Sequence, residues 1–176
     1  MAMPYEFNTP DGQTIGREML IACLNTGTKE APVWSIVGKR VTSSSTELDW
    51  QRESSTDIIG ETTSKMSKPV VTQSFDPWPL ANGDDAQRFV WERGIRDQDA
   101  QALANVDMLI VHKYAGTANT AVFAERYESC SIEINSYGGD GGGNIAMPIT
   151  VTFGGTRTVG AASVTGGNFV FTADSQ

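Results

Sequence analysis

The side chains that could do chemistry are few. His112 is the only histidine in the chain, so sites built on several imidazoles, three-histidine and Cys₂His₂ zinc among them, are excluded. It follows the apolar run 106–111, and that placement predicts a surface residue at a strand end rather than a general base. A Ser-His-Asp arrangement is open to any such chain, but no Gly-x-Ser-x-Gly elbow exists here to present the serine. Cys23 and Cys130 are the only cysteines. One disulfide is open to them, but a chain made in a reducing cytoplasm is expected to keep two isolated buried thiols.

The glycine-rich run Gly138-Gly139-Asp140-Gly141-Gly142-Gly143 invites two ligand readings, and both fail. A phosphate loop needs a following Lys-Ser/Thr and a strand-to-helix transition. A calcium-binding nonapeptide needs stacked copies, and there is one. A flexible hairpin connection accounts for it. The acidic pairs Asp84-Asp85 and Asp97/Asp99 stand where helices should begin, so capping explains them without acid–base chemistry. Trp34, Trp50, Trp78 and Trp91 are too far apart in sequence to form a visible stacking platform, and core or interface packing is their default. No catalytic, cofactor-binding or metal-binding set emerges, so the expectation is a protein that is not an enzyme.

Composition narrows the partners. With 13 basic and 21 acidic residues the formal charge is −8, and the bases are scattered from Arg17 to Arg157. Gripping nucleic-acid phosphates requires clustered lysine and arginine. No apolar run approaches the roughly 20 residues that span a bilayer, and the stretch from Met1 to Thr9 has no signal-peptide pattern. The 176 residues suit a single domain, 1–176, large enough to bury its apolar surface without disulfides or metal.

The elements that would carry these residues read mainly as β. Positions 1–18 form an arm or loop, marked by Pro4, Asn8, Pro10, Asp11 and Gly12. The run 19–24 is a short buried strand, and 33–41 a second. Positions 42–68 are rich in Ser and Thr, with Leu48 and Trp50 on one strand face and Glu47, Asp49 and Gln51 on the other. That stretch predicts a long polar hairpin or extended loop, poorly able to bury itself and in need of a partner to order it. After the Asp76-Pro77-Trp78-Pro79 loop comes one convincing helix. Asp84 is its N-cap, Gln87 stands at capping-box spacing, and Ala86, Phe89 and Val90 make the buried stripe. Gly94 breaks or kinks it, and Asp97 starts a second set of turns over Ala100, Leu103 and Ala104. Strands follow at 106–111, 128–135, 145–153 and 168–172, with glycine turns at 154–155 and 166–167. In 128–135, Cys130, Ile132 and Ile134 face one way and Ser129, Ser131, Glu133 and Asn135 the other. In 145–153, Ile145, Met147, Ile149, Val151 and Phe153 oppose Asn144, Thr150 and Thr152. Such half-polar strands imply an antiparallel sheet with one wet face.

Three regions resemble the tail tube (major tail) proteins of long-tailed bacteriophages, particularly of Gram-positive hosts. The first is Ser45-Thr46-Glu47-Leu48-Asp49-Trp50 leading to Thr56-Asp57-Ile58-Ile59-Gly60-Glu61-Thr62, similar to that family's long hairpin and its turn. The second is Val70-Val71-Thr72-Gln73-Ser74-Phe75-Asp76-Pro77 with the acidic, Gln-containing helix after it. The third is the glycine-rich β region ending at Asn168-Phe169-Val170-Phe171.

The resemblance implies an antiparallel β-sandwich or part-barrel with one packed α-helix. It also implies six copies per ring, with stacked rings forming the conduit for DNA ejection. The implied partners are other copies of the chain, a tape-measure protein, and baseplate and terminator proteins. DNA would pass through without specific binding, and the subunit would belong to the virion tail, assembled in the host bacterial cytoplasm. Leu48, Trp50, Asp57, Ile58, Ile59 and Gly60 are the expected inter-subunit contacts, with packing against the chain's own sheet as the alternative. Ser129, Ser131, Glu133, Asn135, Thr150 and Thr152 are the expected lumen face, with the particle's outside as the alternative. Two rival readings are the inner tube of a contractile tail or phage-like bacteriocin, and a β-sandwich module that binds carbohydrate or a receptor.

Overall fold

Two apolar faces lie back to back along the central strands, and a sharp bend lets one sheet enclose both. The computed structural model describes residues 5–175; positions 1–4 of the expected N-terminal arm lie outside the described residues. In chain order the elements are β1 (Leu20–Asn25), β2 (Trp34–Val37), β3 (Thr46–Asp49), β4 (Arg52–Thr56), β5 (Thr62–Met66), β6 (Val70–Phe75), α1 (Asp85–Trp91), α2 (Ala100–Ala104), β7 (Val106–Thr117), β8 (Ala121–Ile134), β9 (Ile149–Phe153), β10 (Arg157–Thr165) and β11 (Asn168–Ala173). Nine strands form one antiparallel sheet in the order β2-β1-β7-β8-β9-β6-β3, with β10 alongside β8 and β11 alongside β10; β4 and β5 pair only with each other.

The bend sits in β8. Its first part pairs with β10 (Tyr127↔Arg157) and its last part with β9 (Ser131↔Thr152). Gly154 and Gly155 turn the neighbouring chain at the same level. Gly155 has φ +73°, and a Cβ there would fall 2.7 Å from Ser129 Cβ and 2.8 Å from Ser129 N. Only glycine meets both demands. Folding at this point brings Leu24, Met108 and Ile110 of one half into one buried cluster with Phe75, Ile149 and Val151 of the other. On the opposite face of β1 and β7, Cys23, Leu109 and Val111 pack with Val122, Ala124 and Ala162, capped by Phe169 and Phe171 of β11. The result is the expected fold class: mainly antiparallel β, sandwich and part-barrel, with a packed helix.

Asp84 caps α1 by accepting from Gln87 N at 3.2 Å. Gln87 does not close the box. Its buried amide instead accepts from Ala81 N (2.9 Å) and donates to Pro79 O (2.6 Å), tying the preceding loop to the helix. Gln87→Ala strands both backbone groups, so its denaturant midpoint should fall by the equivalent of about 1–3 kcal/mol.

Several expectations need correction. Gly94 lies in a π-helical stretch, Glu92–Arg96, where a Cβ would collide with Ile134 Cδ1; glycine there permits close packing on β8. The second helix is capped by Asp99, not Asp97, which pairs with Arg96. Its partly buried residues are Ala102 and Leu103, while Ala100 and Ala104 are exposed. The strand read over 145–153 is regular only from Ile149, because Pro148 cannot donate to a ladder; Ile145 is exposed. The strand read over 33–41 ends at Val37, before Gly38 at φ +107°. His112 is not at a strand end, because β7 continues to Thr117 and half-buries the ring. Cys23 and Cys130 are, as expected, free, buried thiols, and burial pushes both up to about 12.

Candidate assembly surfaces

The segment 42–68 is not one hairpin. β3 joins the sheet edge, with Thr46 opposite Gln73 and Asp49 opposite Val70. Only β4 and β5 stand clear, every residue in them exposed. Their β-branched and hydroxyl side chains suit an open two-stranded ribbon. Ser55 and Thr63 hydroxyls meet at 3.2 Å, and those of Thr56 and Thr62 at 3.0 Å. At the tip, the Asp57 carboxylate accepts from Ile59 N (3.0 Å) and Glu61 N (2.9 Å), while Gly60 takes φ +86°. Asp57 and Gly60 thus shape the turn, and Ile58 and Ile59 project from it, 104% and 76% exposed. A lone two-stranded hairpin is at best marginally stable in water. Leu48 and Trp50, 51% and 50% exposed, lie at the root near exposed Met66 and Val70. The six expected contact residues therefore form two separate patches, root and tip, and none is buried in the chain's own core.

The half-sheet β3-β6-β9-β8 carries a polar face. Direct cross-strand partners share a face. One row runs Glu47, Thr72, Thr152, Ser131, and the next runs Ser74, Thr150, Glu133. Asn135 donates to Thr150 Oγ1 at 3.0 Å and extends the second row. Neither row contains lysine or arginine. Ser131, Glu133, Asn135, Thr150 and Thr152 are thus brought together, whereas Ser129 sits at the bend, outside the rows, its N–H donating to Gly154 O. Glu47, Thr72 and Ser74 belong to the same face, which local sequence does not reveal, because nothing in it announces that β6 pairs with β9.

The cluster around His112 is the arrangement with most potential for chemistry. His112 Nε2 lies 2.9 Å from Glu125 Oε2 and Nδ1 2.8 Å from Tyr114 Oη, while Phe123 lies 5.0 Å from its ring. Arg157 closes on the other oxygen of Glu125, its Nε at 2.8 Å. Burial works to raise the Glu125 pKa, but hydrogen bonds from His112 and Arg157 outweigh it and hold the carboxyl below its usual range. Both imidazole nitrogens are already engaged, and among the described residues no serine, threonine or cysteine side chain pairs with the ring. This network joins β7, β8 and β10. A lowered folded pKa stabilises above the unfolded value and loses that contribution as pH falls through the folded one. Glu125→Gln should therefore be less stable than the parent at neutral pH, and melting curves should show the gap closing below about pH 4.

Among the described residues no group of three or more His, Cys, Asp or Glu side chains is placed to hold a metal ion, and no helix is long and apolar enough to cross a membrane. No protein-family model and no curated protein matches the sequence. Solved structures do match. A chain from the sheath–tube complex of an extracellular contractile injection system in its extended state aligns with a TM-score of 0.50 at 11% identity, over 86% of this chain and 94% of that one. A chain from the sheath/tube terminator of such a system, also extended, aligns with a TM-score of 0.50 at 10% identity, over 85% and 99%. The likeness is one of fold. It covers most of this chain and nearly the whole of those chains.

Proposed function

We propose that the chain is a structural subunit of a phage-tail-like tube, with six copies per ring and rings stacked into a conduit for DNA ejection. The observation that carries this reading is the exposed β4–β5 hairpin with its isoleucine tip, attached to a half-sheet that presents two polar rows. A monomer has no use for two largely exposed isoleucines on an arm, whereas a stacked ring does. With six half-sheets side by side, the Ser131–Thr152 and Glu133–Thr150 rows line a closed, water-filled barrel. Its only charges along these rows are carboxylates, which repel phosphates, so DNA passes without specific binding.

The two fold neighbours described above come from contractile assemblies, which favours the inner tube of a contractile tail or phage-like bacteriocin over a non-contractile tail. A tape-measure protein and baseplate and terminator proteins are the partners this role requires. Assembly takes place in the bacterial cytoplasm, ahead of incorporation into the particle. The likeness to a terminator chain supports a second reading, a subunit that closes a tube with one ring.

Negative-stain electron microscopy of the concentrated protein, paired with light-scattering mass, tests these readings. Hollow tubes built from multiples of six are expected. Single rings that never stack favour the terminator, and a monomer that binds glycans favours the β-sandwich binding module and overturns the tube.

A further inference from the structure

One cleft has the shape and charge to receive the hairpin tip. It opens between β1, β2, the 38–44 loop and the far end of β6, with a volume of about 460 Å³. Its apolar lining includes Leu20, Val37, Val41 and Phe75, and Arg17 and Lys39 stand with Glu18 around it. The Arg17 guanidinium is held in place by donating to Leu20 O at 2.8 Å and Ser44 O at 3.2 Å. The tip presents the complement: two exposed isoleucines flanked by Asp57 and Glu61.

Direction decides whose tip can enter. The hairpin leaves the body where Asp49 pairs with Val70, while the cleft lies at the other end of the same strand pair, beyond Thr46 and Gln73. From Trp50 to Ile58 the ribbon extends roughly 25 Å away from the body. With all of β4 and β5 exposed, it does not fold back.

We infer that the Ile58–Ile59 tip docks into this cleft on a second copy of the chain, with Asp57 and Glu61 meeting Arg17 and Lys39. The inference rests on the tube reading and adds its receiving surface. Tip and cleft are different surfaces at opposite ends, so the contact is head-to-tail, and each bound copy leaves a free tip and a free cleft. Such contacts propagate rather than close as a dimer.

Cysteine pairing tests it. Chains carrying Ile58→Cys, mixed with chains carrying Lys39→Cys and oxidised, should give a covalent dimer, and both changes in one chain should give a ladder. Native Cys23 and Cys130 are fully buried and do not compete. In parallel, Lys39→Glu should raise the concentration needed for assembly about tenfold, and adding Glu61→Lys should restore it. A parent chain that assembles while its variants show neither cross-link nor rescue overturns this docking and leaves the tube reading standing. A parent chain that never assembles overturns both.

Discussion

Replacing Ile58 and Ile59 together with aspartate should abolish assembly and leave the fold untouched. Both side chains are exposed, so the folded monomer loses no buried contact. The turn itself depends on Asp57, which accepts from two backbone amides, and on Gly60, neither of which changes. The arm depends on its strand pairing and its hydroxyl pairs. At an interface, each isoleucine contributes about 1.5–3 kcal/mol on burial. Losing two, and asking the partner to desolvate two new carboxylates, exceeds the roughly 2.7 kcal/mol that separates a hundredfold change in affinity. Circular dichroism and the melting midpoint should match the parent within error, while sedimentation shows monomer where the parent sediments as rings or tubes. An assembled double variant would mean that the tip is a bystander and that the root patch, Leu48 and Trp50, carries the contacts.

Local pattern made some features of this molecule legible and left others hidden. The alternation Cys130-Ser131-Ile132-Glu133-Ile134 specified which side of β8 is wet, because a one-residue slip would turn every isoleucine to solvent. The Asp84 cap followed from residue type and spacing. The exposure of β4 and β5 followed from their few apolar residues.

Non-local pairing was hidden. Positions 42–68 read as one long hairpin or extended loop because nothing within them says that Glu47 will lie opposite Thr72, twenty-five positions on. The role of Gln87 was misread because its partners, Pro79 and Ala81, lie in a loop whose path depends on the buried Trp78. His112 was misplaced because β7 continues through polar residues, His112-Lys113-Tyr114, which end an apolar run without ending a strand. That continuation is paid for by Glu125 and Arg157, neighbours from strands the local pattern cannot bring together.

The largest loss of stability should come from Arg126→Ala. Asp107 is 4% exposed, within an otherwise apolar stretch of β7. Arg126 of β8 grips its carboxylate with two donors, Nε to Oδ1 at 3.1 Å and Nη2 to Oδ2 at 2.6 Å. Asn25 of β1 adds a longer hydrogen bond at 3.3 Å, and the guanidinium lies 5.6 Å from the Trp34 ring centre. These contacts join three adjacent strands and β2. Removing the arginine leaves a buried carboxylate with only the weak amide bond, which costs about 3–5 kcal/mol, a large share of a domain's stability. Urea unfolding followed by tryptophan fluorescence should show the midpoint falling with little change in slope.

Replacing both members tests the reason for that cost. Asp107→Leu with Arg126→Met removes the charge together with its partner, and should recover most of what the single change loses. A double variant as unstable as Arg126→Ala alone would mean that the arginine acts through its packing on Trp34 rather than by neutralising Asp107. The two outcomes separate an electrostatic staple from a steric one, and only the first explains why a carboxylate is tolerated at this position in β7.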